Sequence, residues 1–408
     1  GSERDANGHD TGSVAYIPLS GMRGTVTLNS GTLGLSPSMF HEVRVLATDR
    51  GGQVTGEASG VATIEMDGVA AAVGGSVVEG FGVNPSGNDG LITSNGGTAD
   101  SVETFNQATG ATSTVASSPD FYTTVGGGSS TAIFAHDVGV YGDQNATTGN
   151  ETYDVLNPAS AGTAAGTWNP PDALGTVINV APNNTNDSDA VLSYNSGLYV
   201  TPTDIAKGTF GTPVSIGSAL SSIKVPLLGG FAEDAATGQA LVDVSDATNQ
   251  NAPTDVVSVD LSSGQTSTMP GAVDGITFGM AVNDGTGEVA EAGFNGIGLV
   301  NLTTHATALV QPGGTIYRFP TAVPGTNDFL IAETASPDFF GESPNNNSMS
   351  SVVLIDGNGN VLHRYEDFNF FDVFLSDLGA YLQVNPTTST AWTLGPLGVQ
   401  LHPFSYGS

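Results

Sequence analysis

The chain has 408 residues, 38% of them hydrophobic, with 40 acidic side chains against 8 basic ones and a formal net charge of −32. That balance excludes a nucleic-acid surface, which needs cations to neutralise phosphates, and disfavours anionic lipid for the same reason. The absence of cysteine excludes disulfide scaffolding, thiol catalysis and cysteine-ligated metal.

Only 12% of residues are charged, about half the usual share, so the imbalance comes from missing Lys and Arg. Such a surface suits high salt, where screening shortens self-repulsion. It also suits acid near the carboxylate pKa of about 4, where most acids are neutral. The modest acid density favours acid over salt. No run approaches 18 apolar residues, so membrane insertion is not expected. Zero cysteine in a chain of this size points to a prokaryotic exported protein, extracellular or on the cell surface after removal of a leader.

From the N-terminus onward one motif recurs: an apolar run, an Asp or Asn, a few small residues, a turn, then Thr-rich alternation. The copies are VRVLATDRGGQVT around Asp49, VETFNQATGATSTV around Asn106, YDVLNPASAG around Asn157 and YVTPTDIAKGTF around Asp204. They continue with VVSVDLSSGQTSTM around Asp260, GLVNLTTHATALV around Asn301 and VLIDGNGNVLHRY around Asp356. Each reads as a β-hairpin whose Gly, Asn or Asp supplies the positive φ of a tight turn. His305 stands where Gly110 and Gly264 stand in other copies. Histidine enters positive φ less readily, so a one-residue shift of the turn is expected there.

From Asn106 the markers recur every 41–56 residues, the period of four-stranded propeller blades. Further pairs of apolar-small-polar runs supply inner strands, expected at 78–94, 123–141, 175–194, 227–245, 276–292, 316–334 and 373–394. The expected fold is all-β: a β-propeller of four-stranded blades, seven in number, or eight if residues 13–33 form their own inner pair. The hairpin at 43–57 has no inner pair and is expected to complete the blade begun by the C-terminal strands, closing the ring. Residues 1–12 are expected to be a flexible segment or tag remnant. Residues 13–408 are expected to form a single domain, with 13–77 contributing closure strands.

The run VVSVDLSSGQTST, preceded by AEDAATGQALV, resembles the YVTN/NHL-like β-propellers of exported bacterial proteins, over about residues 78–404. That superfamily holds sugar-binding modules, lactonases, lyases and scaffolds, so the resemblance implies architecture rather than one activity. It also implies that function sits where inner strands begin. The candidates there are Asp120 and Tyr122, Asp234 beside Glu233, Tyr317 and Arg318, and Asp338 and Phe339. Arg318, being one of so few cations, suits an acidic ligand or a pair with neighbouring Asp and Glu, and a buried structural pair is the plainer reading.

In YEDFNFFDVF, strand alternation sends Phe368 and Phe370 to one face and Asp367 and Asn369 to the other. Such a platform suits a sugar ring, and inter-blade core is the plainer reading. No nucleophile elbow, phosphate loop, dinucleotide fingerprint or H-E-x-x-H occurs. Asp356-x-Asn358-x-Asn360 imitates a calcium loop, but Val361 and Asp367 replace its sharp-turn Gly and bidentate Glu, so DGNG reads as a hairpin turn. No cofactor is expected beyond loosely bound calcium, and no catalytic or metal residue is assigned. The expected function is an exported, acidic, non-catalytic module at the cell surface that binds a carbohydrate or surface protein. The alternatives are a propeller hydrolase or lyase acting on a polysaccharide or lactone, and a surface-layer or filament subunit. Six sequons, at Asn145, Asn150, Asn183, Asn186, Asn301 and Asn346, are compatible with the last.

Overall fold

Strands here are short because Asx-type turns end them. Asp260 Oδ1 accepts hydrogen bonds from the Ser262 and Ser263 amides and the Ser262 hydroxyl. Asn301 Oδ1 does the same with Thr303 and Thr304, and Asn106 Oδ1 with Ala108 and Thr109. A side chain that satisfies the turn amides closes the hairpin locally. The structure, a computed structural model, describes residues 77–95, 100–118, 133–135, 137–144, 151–157, 163–168, 171, 174–183, 188–223, 226–249, 252–311, 316–334, 350–368, 382–394 and 400–406, with short strands before residue 73.

Those early strands are β1 (Ser2–Arg4), β2 (Asp10–Val14), β3 (Phe40–Val43), β4 (Leu46–Thr48), β5 (Val54–Glu57), β6 (Ala62–Glu65) and β7 (Ala71–Ala72). Four form a sheet of order β2-β1-β3-β6. Blade one is β8 (Val77–Val83), β9 (Asp89–Asn95), β10 (Asp100–Asn106) and β11 (Thr112–Ser118). Blade two is β12 (Ile133–Ala135), β13 (Val138–Gln144), β14 (Glu151–Asn157) and β15 (Thr163–Trp168). Blade three is β16 (Thr176–Ala181), β17 (Asp189–Tyr194), β18 (Leu198–Asp204) and β19 (Thr209–Phe210), with β20 (Val214–Ser215) also on β18. Blade four is β21 (Pro226–Asp234), β22 (Gln239–Asp246), β23 (Pro253–Asp260) and β24 (Thr266–Asp274). Blade five is β25 (Thr277–Asn283), β26 (Glu288–Gly293), β27 (Gly296–Asn301) and β28 (Thr307–Leu309). Blade six is β29 (Ile316–Val323), β30 (Asp328–Thr334), β31 (Ser350–Ile355) and β32 (Val361–Phe368). The C-terminal strands are β33 (Leu382–Asn385), β34 (Thr390–Leu394) and β35 (Gln400–Ser405), in a sheet of order β33-β34-β35-β7.

The described residues thus contain six blades of four consecutive strands, not the seven or eight expected. The overcount arises at 373–394. From there on the C-terminal chain supplies only three strands, β33–β35, and the fourth place goes to the two-residue β7 through Ala71↔Leu401 and Ala72↔Gln400. The hairpin at 43–57 is not that partner, because β4 pairs with β5. A strand pair in a sequence looks the same whether or not a full blade follows it. His305 also departs from expectation. It adopts φ 54°, in line with Gly110 at 67° and Gly264 at 70°, and its amide donates to Asn301 O at 2.8 Å as Gly264 does to Asp260 O. The turn keeps its type because the Asn301 staple outweighs the conformational cost to histidine.

First strands of successive blades touch each other, β16 with β21, β21 with β25 and β25 with β29, so they are innermost. The core lies in layers between sheets. One layer joins Leu192 and Val200 to Phe231 and Val242, and another joins Val256 and Met269 to Met280 and Val289. Second strands are covered on both faces, hence unbroken apolar runs such as Ala240–Val242 rather than alternation.

Candidate functional site

The innermost strands β8, β21, β25, β29 and β33 each start at one end of the molecule, the loop end, and finish at the other, the turn end, in a tight turn. Tyr317 and Arg318 open β29 at the loop end, whereas Asp234 closes β21 at the turn end, so the structure separates them. Phe368 is the last residue of β32. Asp120, Tyr122, Asp338, Phe339 and Phe370 lie outside the described residues.

At the loop end five of the innermost strands share a defect. Pairing with the second strand shifts register at Val78–Gly80, Val177–Asn179, Leu228–Gly230, Thr277–Met280 and Arg318–Thr321. A bulge re-aims the side chains that it carries. In blades five and six those are Phe278 and Phe319, with Arg318 just before. The Arg318 guanidinium lies 5.2 Å from the Phe278 ring centroid, and Phe278 meets Phe294 edge-on at 4.7 Å and 74°. Phe319 has φ 51°, and Gly279, at φ 148°, leaves room for Pro320, whose Cδ would be 2.8 Å from an added Cβ. Buried Tyr317 donates through its hydroxyl to Glu333 Oε1 at 3.5 Å, and Arg364 pairs with Glu333 Oε2. Phe278, Phe294 and Arg318 are all half-buried. The arrangement gathers a guanidinium and two aromatic rings, the chemistry that recognises carboxylates and planar groups.

Behind it, between blades four and five, Asp243 and Glu291 are both 0% exposed. Glu291 Oε2 accepts from the Ala272 and Val273 amides, and Oε1 from the Thr254 hydroxyl at 3.2 Å. Neither oxygen of Asp243 completes a hydrogen bond. Burial, then the charge of Glu291, pushes the Asp243 carboxyl well above the usual range, opposed in part by the nearby Thr277 hydroxyl. Burial raises Glu291 against its hydrogen bonds.

The turn end is a girdle of bonds between sheets. Asn183 Nδ2 donates to Glu233 Oε1 at 2.6 Å, and the Ala235 amide to Asp284 Oδ1 at 2.9 Å. Thr286 donates to Asn327. Asn385 Nδ2 donates to Gly87 O at 2.9 Å and Gln107 Oε1 at 2.8 Å, and Thr387 to Pro85 O. Glu233 is 7% exposed, and its Oε2 accepts no hydrogen bond. Burial pushes its carboxyl up to about 8, against the Asn183 bond and aided by Asp189, Asp284 and Asp234. Two sequons are engaged here: Asn183 is buried, and Asn301 Nδ2 donates to Glu288. Asp356 accepts from Asn358 and Asn360, the hairpin turn read from DGNG.

Sequence reasoning singled out Tyr317 and Arg318 but passed over Phe278, Phe294, Glu333, Asp243 and Glu291. Each sits in an ordinary-looking strand or turn, and only register across blades gathers them. No protein-family model and no curated protein matches the chain. Solved structures do, 946 chains in all. One, described as "Crystal Structure of Mitotic Checkpoint Complex", aligns at TM-score 0.56 and 15% identity over 83% of this chain and 95% of its own. The chain has a β-propeller fold. Among the described residues no helix is long and apolar enough to cross a membrane.

Proposed function

We propose that this chain is a partner-binding propeller that receives a protein segment at the loop end, between blades five and six. The observation that carries the reading is the Arg318 guanidinium held over Phe278 beside Phe294, all three half-buried on bulge-shaped strands. An arginine so placed favours a partner carboxylate flanked by aromatic or apolar side chains, since charge-assisted bonds at a half-dry site are strong. With a net charge of −32 the rest of that partner is neutral or basic. The similar solved structure comes from a multi-protein complex by its description, an analogy of fold that agrees with a protein partner.

The proposal extends to export and a place at the cell surface, with residues 13–408 as one domain in the YVTN/NHL-like family. The VVSVDLSSGQTST run and the absence of cysteine support that extension. A peptide array pairing single Asp or Glu residues with aromatic neighbours in basic context tests the site, read by fluorescence polarisation. Retained peptides are expected to share the acid, and Arg318→Ala to weaken them at least about tenfold, with Asp284→Ala at the turn end neutral. Equal binding by Arg318→Ala, or no retained peptide, overturns the reading.

A further inference from the structure

Asp243 and Glu291 occupy positions that the blade frame fills with other residues. Counted through the register with the innermost strand, Glu291, opposite Met280, stands where Ile92 faces Phe81, Val191 faces Val180 and Val242 faces Phe231. Asp243, opposite Gly230, stands where Thr93 faces Gly80 and Leu192 faces Asn179. Neither acid is needed to build a blade. Successive side chains on a strand point to opposite faces. Asp243 and Glu291 are one register step apart in neighbouring blades, so they point towards each other across the interface.

Two hydroxyls accompany them. Thr277, 2% exposed, has an Oγ1 with no hydrogen-bond partner, and Thr254, 0% exposed, touches Glu291. Two glycines make room. A Cβ on Gly229 would collide with Thr277 Oγ1 and lie 3.0 Å from Asp243 Oδ2. One on Gly271 would collide with Thr254 Oγ1 and lie 2.6 Å from Glu291 Oε1. The result is an oxygen-lined nest inside an otherwise apolar layer. Two dry carboxylates without a counter-charge are costly. The described basic residues of the blades are placed elsewhere: Lys207 on Asp204, Arg364 on Glu333, and Arg318 over Phe278.

We infer that Asp243, Glu291, Thr277 and Thr254 hold a hard, oxygen-ligated divalent cation of calcium's class, clamping blade four to blade five. Carboxylate and hydroxyl oxygens without nitrogen or sulfur suit such an ion. Among the described residues no three His, Asp or Glu side chains gather as a metal group, and this nest differs in using two acids and two hydroxyls. Its depth means that the ion is captured on folding, so metal binding is folding free energy.

The test is refolding of the full chain from denatured, chelator-treated protein, in excess calcium and in chelator, with melting temperature and bound metal measured for each. The expected result is about one calcium retained per chain, one ion per nest, and a melting temperature several degrees higher with calcium. Asp243→Asn and Thr277→Val are expected to fold in chelator and to lose both the retained ion and the calcium response. Identical melting of the wild type with and without calcium overturns the site. In that case Asp243 carries a proton, and Asp243→Asn melts above the wild type at neutral pH. A calcium response that survives in both variants places the ion elsewhere and overturns it too.

Discussion

At the turn end, bonds between blades run through short side chains whose own backbone fixes them. Asn385, 0% exposed, accepts from the Thr387 and Thr388 amides while donating across to Gly87 and Gln107. At the loop end, the Arg318 guanidinium of blade six lies on the Phe278 ring of blade five, which meets Phe294 of its own blade edge-on, all three half-buried, on strands that bulge where they begin. The first pattern holds a frame rigid. The second gathers a charge and aromatic rings at positions where the ladder has been bent to aim them.

The largest expected effect lies in the girdle. Asn385→Ala removes two cross-sheet donors and strands Gln107 Oε1, and is expected to cost about 3 kcal/mol of stability in denaturant unfolding. Glu233 sharpens the same end through pH. Its folded carboxyl holds a proton up to about 8, whereas the unfolded group releases it near 4.5. The folded state therefore binds the extra proton between those values. Its stability is highest below the lower one and falls as pH rises to the upper one. Glu233→Gln is expected to be neutral in acid and to gain about 2 kcal/mol in mildly alkaline buffer, since each pKa unit is worth about 1.4 kcal/mol and the site relaxes. A stability profile unchanged by that substitution would show that the four-carboxylate neighbourhood is solvated.

Smaller effects follow. His305→Gly relieves a positive φ in a turn already closed by Asn301, and is expected to stabilise by about 1 kcal/mol, as read from the melting temperature. The contact of Arg318 with the Phe278 ring is worth about 0.5–1 kcal/mol at a half-buried site, and Arg318→Ala is expected to cost less stability than Asn385→Ala. Binding should therefore register this substitution more strongly than stability does.

The hairpins were legible because each carries its own staple. Asp260, Asn301 and Asp356 satisfy turn amides within four residues, so the pattern is written in consecutive sequence. The blade count was not legible, because β33–β35 resemble the start of a blade and only the sheet order shows that no fourth consecutive strand follows, its place going to β7 from the other end of the sequence. Arg318 stood out by composition alone. Phe278 and Glu291 could not, since each becomes distinctive only through a neighbour on another strand, Arg318 for one and Ala272 for the other. Asp234 was placed with the wrong end because a residue that closes an inner strand looks, in sequence, like one that opens the next.

The most direct test of this division is side-by-side thermal melting of Asn385→Ala and Arg318→Ala against the wild type. The account predicts a fall of about 5 °C or more for Asn385→Ala and of no more than about 2 °C for Arg318→Ala, given a few degrees per kcal/mol at this size. A larger fall for Arg318→Ala than for Asn385→Ala would contradict it, making the loop end part of the frame and the girdle dispensable.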